Sequence, residues 1–358
     1  MLLKDKNLYY VGGVVRDEIL GVKSFDTDYC YEGNAIEFSR NFHVIKKNPD
    51  FGTVRILLDG EEIDIASTRE EIYPVVGHLP KVTRIGCSLK DDLKRRDFTI
   101  NALAKNTLDG NITDFFNGLR DIKEKKLRVL HDKSFVEDPS RIIRGLKFSV
   151  RFGFSLEEKT LFLQNEYLEN INYDMSYHRI KKELKETFNL NKSEIFEKFI
   201  EQGIYKLLGE NQQIPILHAS AKRFIDEFDS NNKWIVYLGL FNLKNFELTA
   251  DENKIICGYN NIKSASPTGE LEIYKLFHDV PKESVMLYGI GVDFDIAYNY
   301  LKNLREVKIL TTGDDLKRLG IPTGKIYKEV FDYLLAEKLK NINLTLEDEL
   351  NLVREKYV

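Results

Sequence analysis

Cysteine is scarce in this chain: Cys30, Cys87 and Cys257 are the only three in 358 residues. They are odd in number, far apart and form no CxxC pair, which excludes a disulfide framework and a thiolate zinc site. Histidine is sparse too, with six residues. The pairs His131-Asp132 and His278-Asp279 lack the separate histidine and later aspartate that a metal-dependent phosphohydrolase assembles. No apolar run approaches the ~20 residues of a bilayer-spanning helix. The N-terminal Met-Leu-Leu-Lys-Asp-Lys breaks its apolar start with charge, so no signal peptide is expected and the cytoplasm is the expected compartment. Positive charge is not in excess either. A formal net charge of -4 confines any nucleic-acid binding to local basic patches. Repeats and low-complexity tracts are absent, and the 42% apolar content suits ordinary globular cores.

What is present is concentrated in the first half. Val11 to Asp28 reads VGGVVRDEILGVKSFDTD. Tyr9 to Val11 is expected to end a strand, Gly12-Gly13 to form a turn where backbone can approach a phosphate, and Val14 to Leu20 to open a helix whose N-terminus favours anions. In an extended strand Asp26 and Asp28 point to one face, so both carboxylates can converge on one divalent cation facing a triphosphate. Taken singly, a Gly-Gly turn and an Asp-x-Asp turn are common solvated features. Their joint occurrence points to nucleotide chemistry.

A second constellation runs from Asp91 to Ala104 and contains Arg95-Arg96-Asp97 and Asn101. Two fixed guanidinium forks suit phosphate oxygens, and the Asn101 amide suits a ribose hydroxyl. Paired with Asp91 and Asp92 at helical spacing, the same arginines would otherwise be an ordinary solvated face. A third is Glu137-Asp138-Pro139-Ser140-Arg141, continuing to Arg144 and Phe152-Gly153-Phe154. Pro139 suits a first helical turn with Asp138 near the N-cap, and Arg141 and Arg144 fall on one helical face.

These three motifs, in this order, resemble the class II tRNA nucleotidyltransferase and bacterial poly(A) polymerase family, within the polymerase-β-like nucleotidyltransferases. The resemblance implies an α+β fold: a nucleotidyltransferase head of mixed sheet and helices over 1–120, then an all-α neck (121–190), body (191–270) and tail (271–358). It implies that Asp26 and Asp28 hold two Mg²⁺ ions. Gly12, Gly13 and Arg16 would position the triphosphate, Arg95, Arg96, Asp97 and Asn101 its phosphates and ribose. Asp138 and Arg141 would read the Watson-Crick edge of cytosine or adenine, with Glu137 holding the arginine and Arg144 beside it. Lys147 stands where the family usually has a further arginine, exchanging a planar fork for a point charge. Asp114 to Asp121 resembles the family's connecting turn, expected to brace the head against the neck.

Asp64, alternating with Ile63 and Ile65 after a turn, is the candidate third carboxylate. Glu70 to Ser88, carrying Pro74, Gly77, Pro80 and Gly86, shows no sustained period and is expected to be a mobile loop. In the family a loop here accompanies addition of the terminal A. Beyond Ser155 helical periodicity takes over, with helices expected at Leu156 to Leu168, His178 to Phe188, Ser193 to Leu208, Ala219 to Phe228 and Trp234 to Phe241. Arg179, Lys181 and Lys182, and Lys317 with Arg318, are candidate RNA-binding patches. Gly324 and Lys325, in a segment resembling the family's C-terminal motif, are expected at a helix N-terminus that takes an RNA phosphate.

The expected activity is template-independent addition of CCA to the 3′ end of tRNA, with CTP and ATP as substrates and pyrophosphate released. No obligate protein partner is implied. Addition of A alone, or a poly(A) polymerase, would use nearly the same residues. A noncatalytic RNA-binding module and a small-molecule nucleotidyltransferase are the remaining alternatives.

Overall fold

In the computed structural model, residues 3–24, 27–192, 194–215 and 219–358 are described. The chain forms two compact units, Met1–Gln212 with Lys244–Phe246, and Gln213–Leu243 with Glu247–Val358.

The first unit is built on a seven-stranded mixed sheet. Its strands are β1 (Leu8–Val11), β2 (Tyr29–Tyr31), β3 (His43–Asn48), β4 (Thr53–Leu58) and β5 (Glu61–Ser67), then, after a separate hairpin of β6 (Arg69–Ile72) and β7 (Lys81–Ile85), β8 (Leu103–Asn106) and β9 (Ile112–Asp114). The order across the sheet is β3-β4-β5-β2-β1-β8-β9, and β2 with β5 is its parallel pair. Alternation explains the buried face: Val54, Ile56 and Ile65 enter the core with Leu8 and Tyr29, while intervening polar residues face outward.

Helices α1 (Gly13–Leu20), α2 (Ala35–Phe38), α3 (Leu89–Lys94) and α4 (Gly118–Glu124) belong to the sheet region, and α5 (Ser134–Glu137), α6 (Ser140–Phe152), α7 (Glu158–Glu169), α8 (Tyr177–Phe188) and α9 (Glu194–Glu201) follow. The turn at 114–121 packs against Thr99 of the head. Thr99 donates its hydroxyl to buried Asp121 at 2.6 Å, and a Cβ on Gly118 would meet the Thr99 carbonyl at 2.3 Å. The second unit is helical: α10 (Ala219–Glu227), α11 (Lys233–Leu238), α12 (Ala250–Ile262), α13 (Glu270–Phe277), α14 (Lys282–Gly291), α15 (Phe294–Asn299), α16 (Gly313–Arg318), α17 (Lys325–Lys340) and α18 (Leu346–Tyr357). Leu316, Val330, Leu334 and Val353 form one of its cores.

The first compact unit runs across the expected head–neck boundary, because Phe148 and Phe154 complete one core with Val15, Phe98 and Ile100. Two expectations are corrected. Glu70 to Ser88 is not a shapeless loop. Its ends form the β6–β7 hairpin, paired from Arg69 with Ile85 to Ile72 with Lys81, and hidden in the sequence by short polar strands around Pro74 and Gly77. The stretch expected as one helix to Leu208 breaks after Glu201, where Gly203 takes a left-handed φ of 69°.

Candidate active site

One cavity of about 890 Å³ in the first unit gathers residues from all three motifs. Gly12, Gly13, Arg16 and Asp28 line it from the β1–α1 turn and the entry to β2, Arg95, Arg96, Asp97 and Asn101 from the end of α3 onward, and Asp138, Arg141, Arg144 and Lys147 from α6 and the residue pair before it. Among the described residues, ten Lys or Arg side chains and seven carboxylates face it. A chain of net negative charge thus concentrates positive potential where an anion would sit.

Gly12 is required by its backbone, with φ 71° and ψ -129°, and by its neighbours. A Cβ there would lie 3.0 Å from Arg96 Nη1 and 4.0 Å from Asp28 Oδ2. Arg96 Nη2 donates to buried Asp92 at 3.2 Å, while its buried Nε has no hydrogen-bond partner among the described residues. Arg16 donates Nε and Nη2 to Asp17 at 2.8 and 2.6 Å and Nη1 to Asn101 at 2.5 Å, with its guanidinium over Phe148 and Phe152. Asp97 accepts from Asn101, from the Phe98 backbone and from Arg144, so it orients the ribose candidate and the neck arginine together. Burial alone would raise the Asp97 carboxyl; the charge of Arg144 and these hydrogen bonds outweigh it and hold the carboxyl well below the usual range.

The candidate base reader is pinned from several sides. Asp138 Oδ1 accepts from the Ser140 backbone and hydroxyl, and Oδ2 from Arg179. Arg141, 3% exposed, donates to the Ser134 hydroxyl at 2.7 Å, the Arg95 carbonyl at 2.9 Å and the Tyr73 hydroxyl at 3.3 Å, with Nε 3.7 Å from Asp138. The hairpin contributes further stitches, the Gly77 N–H to the Glu137 carbonyl and Arg179 to the His78 carbonyl.

Several candidates sit elsewhere than expected. Glu137 does not hold Arg141: its carboxylate lies 3.4 Å from His131 Nε2, outside the cavity. Burial, then the charges of Arg141 and Lys94, lower His131 to about 4. Arg179 and exposed Lys182 line this cavity and Lys181 is buried, so the three do not share one outer surface. Lys147 is neutralised by Glu183 at 2.7 Å and Glu186 at 2.6 Å. Asp64 does not line the cavity; Arg55 engages it through Nε and Nη2 at 2.8 and 2.7 Å. Asp28 precedes β2 instead of lying within a strand, and Asp26 lies outside the described residues. In the second unit Arg318 pairs with Asp315 at the end of α16, Lys317 is exposed beside it, and Gly324 caps α17 at Lys325.

Sequence reasoning missed the carboxylates that aim the arginines. Asp92, fully buried, accepts from Arg95, Arg96 and the Arg69 backbone, and Glu71 accepts from Arg69 and Arg95. Asp17 is shared by Arg16 and Arg151, and Glu183 by Arg144 and Lys147. The arginine-aspartate adjacencies at 16–17 and 92–96 carried that signal.

A mixed sheet with a Gly-Gly turn, a carboxylate at the strand entry and a cationic cavity closed by helices is the architecture of a polymerase-β-like head. Residues 8–128 match the Poly A polymerase head domain family. The chain is 30% identical over 96% of its length to an A-adding tRNA nucleotidyltransferase of Geobacter sulfurreducens, and 47% identical over 42% of its length to one of Aquifex aeolicus. It spans only 44% and 19% of those two relatives. A CCA-adding enzyme of Streptococcus mutans is 27% identical over 93% of this chain and 90% of that protein. An apo structure of a CCA-adding enzyme superposes with TM-score 0.79 at 29% identity, covering 97% of this chain and 91% of that one. A CCA-adding enzyme with ATP gives 0.75 at 27%, covering 97% and 90%, and the Thermotoga maritima enzyme complexed with tRNA gives 0.73 at 28%, covering 98% and 91%. The chain is thus similar, in its head domain and over nearly its whole length, to CCA-adding enzymes and to proteins with a Poly A polymerase head.

Proposed function

We propose that this chain adds C and A residues, in the order C, C, A, to the 3′ end of tRNA without a nucleic-acid template, using CTP and ATP. The observation that carries this reading is the single cavity that joins a phosphate-type end, at Gly12, Arg96 and Asp28, to a base-type end, at Asp138 and Arg141. A buried carboxylate accepts from an exocyclic amine and a guanidinium donates to a ring acceptor, a pairing that cytosine and adenine both offer. The tRNA and ATP complexes of its structural relatives support the same substrates here.

The carboxylates of the first motif suit magnesium: Asp26 and Asp28 are hard oxygen ligands by residue type, and Asp64 stands in β5, the strand paired with β2. Among the described residues no three metal-binding side chains gather, with Asp64 engaged by Arg55. A divalent ion held there would acidify the primer 3′-hydroxyl and neutralise the departing pyrophosphate. The rest is done by the chain. Arg96 lines the cavity beside Gly12 and would offer its guanidinium to the triphosphate, Arg16 and Asp97 hold Asn101 towards the ribose, and Asp92 keeps Arg95 and Arg96 aimed before substrate arrives.

Addition of A alone is the second reading, favoured by the name of the Geobacter relative. The test is extension of tRNA transcripts ending before CCA, after the first C and after CC, with CTP and ATP separately and together and Asp28→Ala as control. Ordered C, C, A addition lost in the variant supports the proposal. A added only to the CC-ended transcript makes this an A-adding enzyme, long A tails make it a poly(A) polymerase, and no extension sinks the catalytic reading.

A further inference from the structure

The outer strands of the head sheet carry a charged row that the nucleotide cavity does not use. Along β4 and β5, Val54, Ile56 and Ile65 are buried, and the alternating Arg55 and Asp64 lie on the opposite, solvent-facing side. Register sets Lys46, Arg55 and Asp64 in one line across β3, β4 and β5. The line leads to the catalytic strand: β2 pairs in parallel with β5, with Tyr29 opposite Ile65, and Asp28 and Asp64 are the residues immediately before that pair. Arg55 also reaches Glu62 at 3.2 Å. A guanidinium fork laid across both oxygens of Asp64 occupies the donors that a cation would use.

We propose that Arg55 is an exchangeable partner of Asp64. When Asp28 and Asp64 take up a divalent ion, Asp64 leaves Arg55, and the freed fork, with Lys46 beside it, binds the phosphodiester on the 5′ side of the RNA's terminal nucleotide. This rests on the reaction proposed above. The attacking 3′-hydroxyl must lie at the Asp28 end of the row, and the nearest phosphate of the same strand is one sugar away. Neighbouring strands are about 4.8 Å apart, so β4 and β3 lie about 10 and 14 Å from β2, within reach of arginine and lysine side chains leaning towards that phosphate. Arginine grips carboxylate and phosphate with the same two parallel N–H···O bonds, so the exchange leaves no donor unpaired. Ion binding and primer binding then favour each other.

The test compares wild type with Arg55→Ala, Arg55→Gln and Arg55→Lys in two measurements that need no catalysis. Mn²⁺ binding to the nucleotide-free chain is read by electron paramagnetic resonance, and binding of a fluorescein-labelled tRNA transcript ending before CCA is read by anisotropy with and without Ca²⁺. Loss of the competing guanidinium in the Ala and Gln variants is expected to tighten Mn²⁺ binding several-fold. Ca²⁺ is expected to tighten transcript binding to wild type by about tenfold and to leave both variants nearly unresponsive, with Lys between. Mn²⁺ affinities equal to wild type in both variants, or an undiminished Ca²⁺ response, overturn the proposal. Failure of the wild type to extend RNA would instead overturn the transfer reading, since the Mn²⁺ comparison is independent of it.

Discussion

Arg144 lays its Nε and Nη2 on one oxygen of Asp97, both at 2.7 Å, and so ties helix α6 of the neck to the motif at 95–97. Its remaining arm reaches Glu183 on α8 at 3.1 Å. The elements that carry the second and third motifs are therefore fixed to each other by a largely buried ion network instead of by apolar packing alone.

Replacing Asp97 by Asn should cost about 2 kcal/mol, because it leaves the half-buried Arg144 guanidinium with Glu183 but without its stronger counter-charge. The Asp97 carboxyl is held below its unfolded value, so the unfolded chain takes up the proton first as pH falls. The stabilisation is complete above about pH 4 and lost as pH falls towards the folded value. Melting curves of wild type and Asp97→Asn should therefore differ at pH 7 and converge in acid; a gap that stays constant with pH would contradict the ion-pair account.

His131 gives a pH dependence in a different window. Its value of about 4 in the fold lies below the ~6.5 of a free imidazole, so between these the unfolded state binds more protons and stability rises with pH. Wild type should lose melting temperature from about pH 6.5 down to 4 more steeply than His131→Gln. Parallel curves would show that burial of the neutral ring is not what destabilises the chain there.

Gly12→Ala combines a left-handed backbone with a Cβ 3.0 Å from Arg96 Nη1. It should cost about 1 kcal/mol in stability. Nucleotide KM should rise by about one to two orders of magnitude, because Arg96 must move off its position. Steady-state kinetics with CTP or ATP varied and tRNA saturating would measure this; a changed KM for tRNA alone would contradict it.

Arg179 and the second-unit cations should separate kinetically. Arg179→Ala removes a charged donor from Asp138, and nucleotide KM should rise by about tenfold. Lys317→Ala with Arg318→Ala should act on tRNA KM and leave nucleotide KM unchanged. Swapped effects in the two KM measurements would reverse the assignment of the α8 face to the cavity.

The positions of Gly12, Arg16, Arg96, Asn101 and Asp138 were legible because each combines an unusual residue type with a fixed spacing. Asp92 and Glu183 were not. A carboxylate three or four residues from an arginine reads the same whether solvated or buried, and only tertiary packing removes the water. Arg179 was assigned to an RNA surface for the same reason: its helix has a polar stripe, and nothing local reveals that the stripe faces a cavity. The β6–β7 hairpin escaped because its strands are short, polar and punctuated by proline and glycine, so period-two alternation never accumulates.

The shared packing of Phe148 and Phe154 with Val15, Phe98 and Ile100 bears on how this protein can be taken apart. A fragment ending near residue 128, where the head-family match stops, would keep six of the eight buried residues of that core and lose the rings of Phe148 and Phe154. Chimeras that exchange catalytic modules between relatives should carry residues 1–212 together with Lys244–Phe246, because the first compact unit takes in both segments and Phe246 packs on Tyr177.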